Sequence, residues 1–156
     1  LIIFEIYFIY MVCTKSEIHS VILQHLEERM EQGKKDFLLA KESRDSDTKS
    51  SAGDKFETGR EMMQREMDKL SALVDNTLNS IAKLDRIADL PASVVISEGS
   101  LVETDQETYF ISIGYGKLDS IYAISIESPL GLELKGKRVG DRIEMRGRHI
   151  TIKSIV

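Results

Sequence analysis

The chain has 156 residues, a net charge of −5, a hydrophobic fraction of 42% and a charged fraction of 30%. That length allows one domain, or a small domain with an extension. The acidic balance argues against a general nucleic-acid binder, which needs a basic surface. A single cysteine, Cys13, excludes an internal disulfide and suits a reducing compartment, while His19, His25 and His149 are too scattered for a Cys/His metal site.

Leu1 to Cys13 is apolar except for Glu5. It falls short of the roughly 20 residues a membrane span requires. It also lacks the basic start and small-residue cleavage site of a signal peptide. Residues 1–14 are therefore read as an apolar leader, with Met11 expected as the natural start and residues 1–10 as a gene-call extension before it. The alternative is a membrane-attached N-terminus.

From Lys15 to Arg44 there is no proline and only Gly33, and apolar residues recur at Ile18, Ile22, Leu26, Met30 and Phe37. From Asp54 to Asp89 the stripe is Phe56, Met63, Met67, Leu70, Val74, Leu78, Ile81, Leu84 and Ala88. Both stripes have helical spacing and predict two amphipathic helices, and from Met67 onward the steps of three and four make a coiled-coil seam. At 1.5 Å rise, each run of some 30 residues would be about 45 Å long.

Between them, Ser43 to Lys55 holds Ser, Asp, Lys and Gly but no large apolar residue, which predicts a polar connection. Two long helices with a short connection favour an antiparallel hairpin over 15–90, its tip near 43–55. Ser51 or Asp54 is placed to cap the second helix. A dimerisation coiled coil is the other reading of the same stripe.

Leu90-Pro91 ends the second helix, because proline disfavours helical geometry in the residue before it. Residues 91–156 then change texture. Val94-Val95-Ile96, Glu107–Ile113, Ser120–Ile126, Arg142–Met145 and His149–Ile155 are short apolar or alternating runs, which read as strands. The fold class is α+β, a helical hairpin followed by a small β-rich domain.

The end of the chain reads Ser128-Pro129-Leu130, then Leu134, Gly136-Lys137 and Val139-Gly140-Asp141. Proline at a first helical position loses no hydrogen bond, and a preceding serine caps the free amides. Gly136 and Gly140 mark two tight turns. Lys135, Lys137, Arg138, Arg142, Arg146, Arg148 and Lys153 make this stretch basic, against Asp141 and Glu144. It reads as a solvated strand face or as a docking surface for an acidic partner.

This run resembles the carboxy-terminal signature of the Gre family of bacterial transcript-cleavage factors, Ser-Pro-Leu…Leu-x-Gly-Lys-x-Val-Gly-Asp. The motif likeness covers about Tyr122 to Ile155, and the architectural likeness about Lys15 to Val156. The resemblance implies an FKBP-like carboxy-terminal domain. It assigns Ser128, Pro129, Leu130, Gly136, Lys137, Val139, Gly140 and Asp141 to docking on RNA polymerase core. It implies a cytoplasmic monomer without a membrane, whose hairpin enters the secondary channel and meets RNA and DNA only inside that complex. Such a chain is not itself an enzyme. It has no cofactor of its own and at most shares Mg²⁺ with the polymerase, held by two acids at the hairpin tip.

The tip departs from the family pattern, Asp-x-Ser-Glu-Asn followed by an aromatic and an Arg-Glu pair. Anchored on Phe56 and Arg60-Glu61, Lys49 stands at the family's Asp and Ala52 at its Glu. The nearest candidate acids for a metal are Asp47 and Asp54, and Asp45 and Glu57 lie close by. Their other reading is helix capping and solubility. Modulation of elongation or rescue of backtracked complexes is thus the expected activity, with cleavage stimulation lacking its usual acids. The other functions weighed are an FKBP-like peptide-binding or chaperone module and a structural coiled-coil protein.

Overall fold

The computed structural model describes residues 15–46, 53–91 and 93–156, and the side chains of 53–56 are not included. The expected leader 1–14 lies outside the described residues. Two long helices, α1 (Lys15–Ser46) and α2 (Gly53–Ala88), precede a mixed sheet, so the class is α+β. The strands are β1 (Leu101–Thr104), β2 (Thr108–Ser112), β3 (Gly116–Leu118), β4 (Ile121–Ser125), β5 (Arg142–Met145) and β6 (Arg148–Ile155). A one-turn-and-a-half helix, α3 (Pro129–Leu134), lies between β4 and β5.

The chain forms two compact units, Leu23–Ile81 and Leu1–Ile22 with Ala82–Val156. Within the first, the helices run antiparallel. Gly33 faces Val74 and Leu73, and further along, Arg44 Nη1 donates to Gln64 Oε1 at 2.8 Å. Gly33 is a point of tight approach, since a Cβ there would stand 3.1 Å from Val74 Cγ2. Ala40 and Met67 are buried in the same seam.

Burial departs from the expected stripe in two places: at the end of α2 Ile87 is buried and Ala88 exposed, and in mid-helix the exchange is between Thr77 and Leu78. Leu78 is 44% exposed, and Thr77 is buried instead. Thr77 is tolerated there because its Oγ1 donates to the Leu73 carbonyl at 2.7 Å, which leaves no unsatisfied hydroxyl. The steps Met67, Leu70, Val74, Thr77, Ile81, Leu84 keep the three-four spacing of a heptad, which Leu78 would break.

Helix ends also differ from the expected ones. Ser43–Ser46 continue α1 and Gly53–Lys55 open α2, so polar residues that read as connection are helical. The Arg44–Asp45 ion pair at 2.8 Å and a bond from Ser46 Oγ to the Ser43 carbonyl at 2.9 Å accompany the last turn. The rest of the expected connection, 47–52, lies outside the described residues, and Ser51 with it.

In the second unit, Ile18, Ile22, Leu84 and Ile87 are fully buried. His19 Nε2 donates to the Leu84 carbonyl at 3.1 Å and lies 4.0 Å from Asp85 Oδ1. Lys83 pairs with Glu98 at 3.5 Å, both partly buried.

The sheet order is β3-β4-β2-β1-β6-β5, with β2 and β4 parallel and the other neighbours antiparallel. One face carries the core: Val102, Tyr109, Ile111, Ile143, Ile150 and Ile152, closed by Ile96, Ile126 and Leu134. Each fully buried aliphatic contributes roughly 1.5–3 kcal/mol. Alternation in β2 does not mean a wet second face, because Phe110 and Ser112 are as buried as Ile111.

Val94-Val95-Ile96 is not a strand: Val94 is 76% exposed and only Ile96 is buried. Leu101–Thr104 and Gly116–Leu118, which have weak patterns in the sequence, are strands. β5 and β6 meet through Arg146 and Gly147 alone, both at positive φ (52° and 74°), as a two-residue hairpin turn demands.

Candidate functional site

The Ser128–Asp141 run folds as its chemistry predicts. Ser128 is the N-cap of α3, and its Oγ accepts the Gly131 N–H at 3.0 Å. The same hydroxyl donates to the Ser125 carbonyl at 2.7 Å, so both of its roles are filled. Pro129 occupies the first helical position and is exposed, while Leu130 packs on the core. Leu134 is fully buried.

Gly131 is a position the sequence reading did not single out. Its backbone lies against the Ser125 carbonyl and within reach of Ile126, so a Cβ would overlap main-chain atoms. A lone glycine in a short helix carries no signal of this in one sequence.

After α3 the chain turns twice. Gly136 (φ 76°) and Gly140 (φ 90°) adopt the left-handed conformation that glycine allows without strain. The turn is tied down on two sides. Gly136 N–H donates to the Ile96 carbonyl at 2.8 Å, and Ile96 N–H donates to the Lys137 carbonyl at 2.9 Å. Gly140 N–H donates to the Ile152 carbonyl at 2.9 Å, and Ile152 N–H donates to the Asp141 carbonyl at 3.0 Å. The Asp141 carboxylate accepts the Arg138 N–H at 2.8 Å and closes the loop between them.

The structure therefore brings Ser128, Pro129, Leu130, Gly136, Lys137, Val139, Gly140 and Asp141 into one continuous capped helix and turn anchored on β6 and Ile96. Lys135, Arg138, Arg142, Arg146, Arg148 and Lys153 are exposed, and Lys137 is half-buried. None of these seven cations forms an ion pair among the described residues. Two apolar side chains stand exposed among them, Leu132 at 59% and Val139 at 58%. Leu132 was not foreseen as exposed, since its neighbours Leu130 and Leu134 point inward.

The hairpin tip is only partly described. Asp47 lies outside the described residues. Asp54 falls in the first turn of α2, and its side chain is not described. Asp45 is exposed and accepts from Arg44 Nε at 2.9 Å as well as Nη2. Both contacts fall on Oδ1, a charge-assisted pair within the last turn of α1. Among the described residues no group of three or more His, Cys, Asp or Glu stands together as a metal site.

Among the described residues, no helix is long and apolar enough to cross a membrane. Compared with family models, with curated proteins and with solved structures, the chain finds no match.

Proposed function

We propose that this chain is a Gre-type, RNA polymerase-binding transcription elongation factor of the bacterial cytoplasm. In this reading the β-rich domain is FKBP-like and docks on the polymerase rim, and the antiparallel hairpin enters the secondary channel. It acts as a monomer, has no catalytic centre of its own and touches RNA and DNA only within the complex. Its effect is to modulate elongation or relieve backtracked complexes by occupying the channel, without adding carboxylates to the polymerase's metals.

The observation that carries the reading is the Ser128–Asp141 run. Its likeness to the Gre signature is dense, and its serine cap, first-position proline and two left-handed glycines each serve the local fold. The long antiparallel helices Lys15–Ser46 and Gly53–Ala88 support it. A peptide-binding role finds less support, since Tyr109 and Phe110, two of the domain's few aromatics, are buried.

Two assays in sequence test it. Pull-down with core RNA polymerase comes first, and absence of binding at micromolar concentration ends the reading. A backtracked-complex assay follows, with altered elongation or arrest and no added RNA shortening as the expected result. Shortening that disappears in Asp47→Ala or Asp54→Ala would instead assign metal work to the tip.

A further inference from the structure

The residues of the Ser128–Asp141 run are of two kinds. Ser128, Gly131, Leu134 and Asp141 are occupied with building the loop, through a cap, a backbone contact, core burial and an internal hydrogen bond. The residues interleaved with them join the fold through their backbone and hold their side chains outside it. Leu132 and Val139 leave more than half their surface in water, and Lys135 and Arg138 extend from the same turn with no ion pair among the described residues. Val94, 76% exposed, sits two residues before Ile96, which is bonded to this turn.

We infer that Leu132, Lys135, Arg138 and Val139 are the specificity-determining contacts of this domain, and that they fit an acidic protein surface carrying an exposed aliphatic or aromatic side chain. The inference rests on the polymerase reading for the identity of the partner. It differs from that reading in assigning recognition to the interleaved residues, with the signature residues holding them in place.

Charge and polarity choose the occupant. The chain as a whole carries −5, while the segment from Lys135 to Lys153 is strongly cationic. An acidic partner is repelled by most of the molecule and attracted here, which orients the encounter. Aliphatic side chains distinguish the partner class. A phosphate backbone is bound by cations and hydrogen-bond donors and leaves Leu132 and Val139 unused. A protein surface desolvates them, and interface energy concentrates at such centrally placed contacts.

The test uses the full chain and core RNA polymerase. Leu132→Ser with Val139→Ser should weaken binding by about tenfold or more, with a melting temperature little changed because both side chains are mostly exposed. Lys135→Glu with Arg138→Glu should weaken it as well and flatten its salt dependence. If the serine pair proves unstable, the charge-reversed pair decides alone. Wild-type binding matched within twofold by both variants overturns this inference and leaves the polymerase reading standing. Absence of wild-type binding overturns both. Binding to duplex DNA or to anionic phosphatidylglycerol vesicles as tightly as to polymerase, and indifferent to the serine pair, also overturns it.

Discussion

The backbone of Gly131 rests on the carbonyl of Ser125, the same carbonyl that accepts the Ser128 hydroxyl. One main-chain oxygen thus fixes both the cap of α3 and the distance at which the helix packs. A Gly→Ala change inside a helix ordinarily gains about 0.5–1 kcal/mol. Here the added methyl meets backbone atoms that cannot rotate away, with Ile126 Cα 2.9 Å distant. Overpacking costs about 1–3 kcal/mol and outweighs the propensity gain. Gly131→Ala should lower the urea midpoint; a raised midpoint would show that the contact is slack.

Asp141 reads as an exposed acid beside basic residues, yet its carboxylate is the acceptor that closes the Arg138–Asp141 turn. Asp141→Ala should cost about 0.5–1.5 kcal/mol. Asp141→Asn keeps an acceptor oxygen and should recover most of that loss. Equal losses in the two variants would mean that charge, and not the hydrogen bond, is what matters. Chemical denaturation of the three proteins measures the difference.

Gly33 and Val74 meet tightly across the hairpin, at 3.1 Å for a Cβ on Gly33. Val74 is β-branched and has essentially one χ1 rotamer in a helix, so it does not step aside. Gly33→Ala should therefore yield less than the roughly 1 kcal/mol that helix propensity offers. In a Val74→Ala background the same change should recover it. A double-mutant cycle reads the coupling, expected at about 1 kcal/mol. Additivity within about 0.3 kcal/mol would show that the helices simply move apart.

Tyr109 has its phenol pushed above the ordinary value of 10.0, chiefly by burial and further by the charges of Glu107 and Tyr122. Because the folded value is the higher one, folding favours the neutral phenol. That contribution is complete below about pH 10 and is lost as pH rises through the raised folded value. Stability should fall on this alkaline limb, and Tyr109→Phe should flatten it while leaving the neutral-pH slope alone. Unfolding free energies measured between about pH 9 and 11.5 provide the comparison. A limb of the same steepness in both proteins would place the titration elsewhere.

Much of the local structure was legible in the sequence because it depends on neighbours a few residues away. The two helices needed only a period and an absence of proline, and their observed ends fall within two residues of those expected. Ser128-Pro129 announced a capped helix, and Gly136 and Gly140 announced left-handed turns, because each is a local demand on φ and on free amides. The β5–β6 hairpin was visible for the same reason.

What escaped depends on partners far along the chain. Leu101–Thr104 becomes a strand because Ile155, Ser154 and Ile152 pair along one side and Phe110, Tyr109 and Thr108 along the other. Val94–Ile96 has strand composition, but of its three residues only Ile96 bonds to another segment's backbone, at Gly136 and Lys137. Thr77 enters the seam in place of Leu78 because seam geometry outranks hydrophobicity once a hydroxyl is satisfied locally.

The candidate site divides along the same line. Its serine cap, first-position proline and two left-handed glycines were specified by local chemistry, whereas the close approach at Gly131 was not. Which side chains remain outside was settled by packing: Leu130 and Leu134 turn into the core while Leu132 between them faces water. A sequence states that all three are leucines. Only the sheet beneath α3 decides which of them has a surface to bury against, since burial is a property of two surfaces and the chain spells out one at a time.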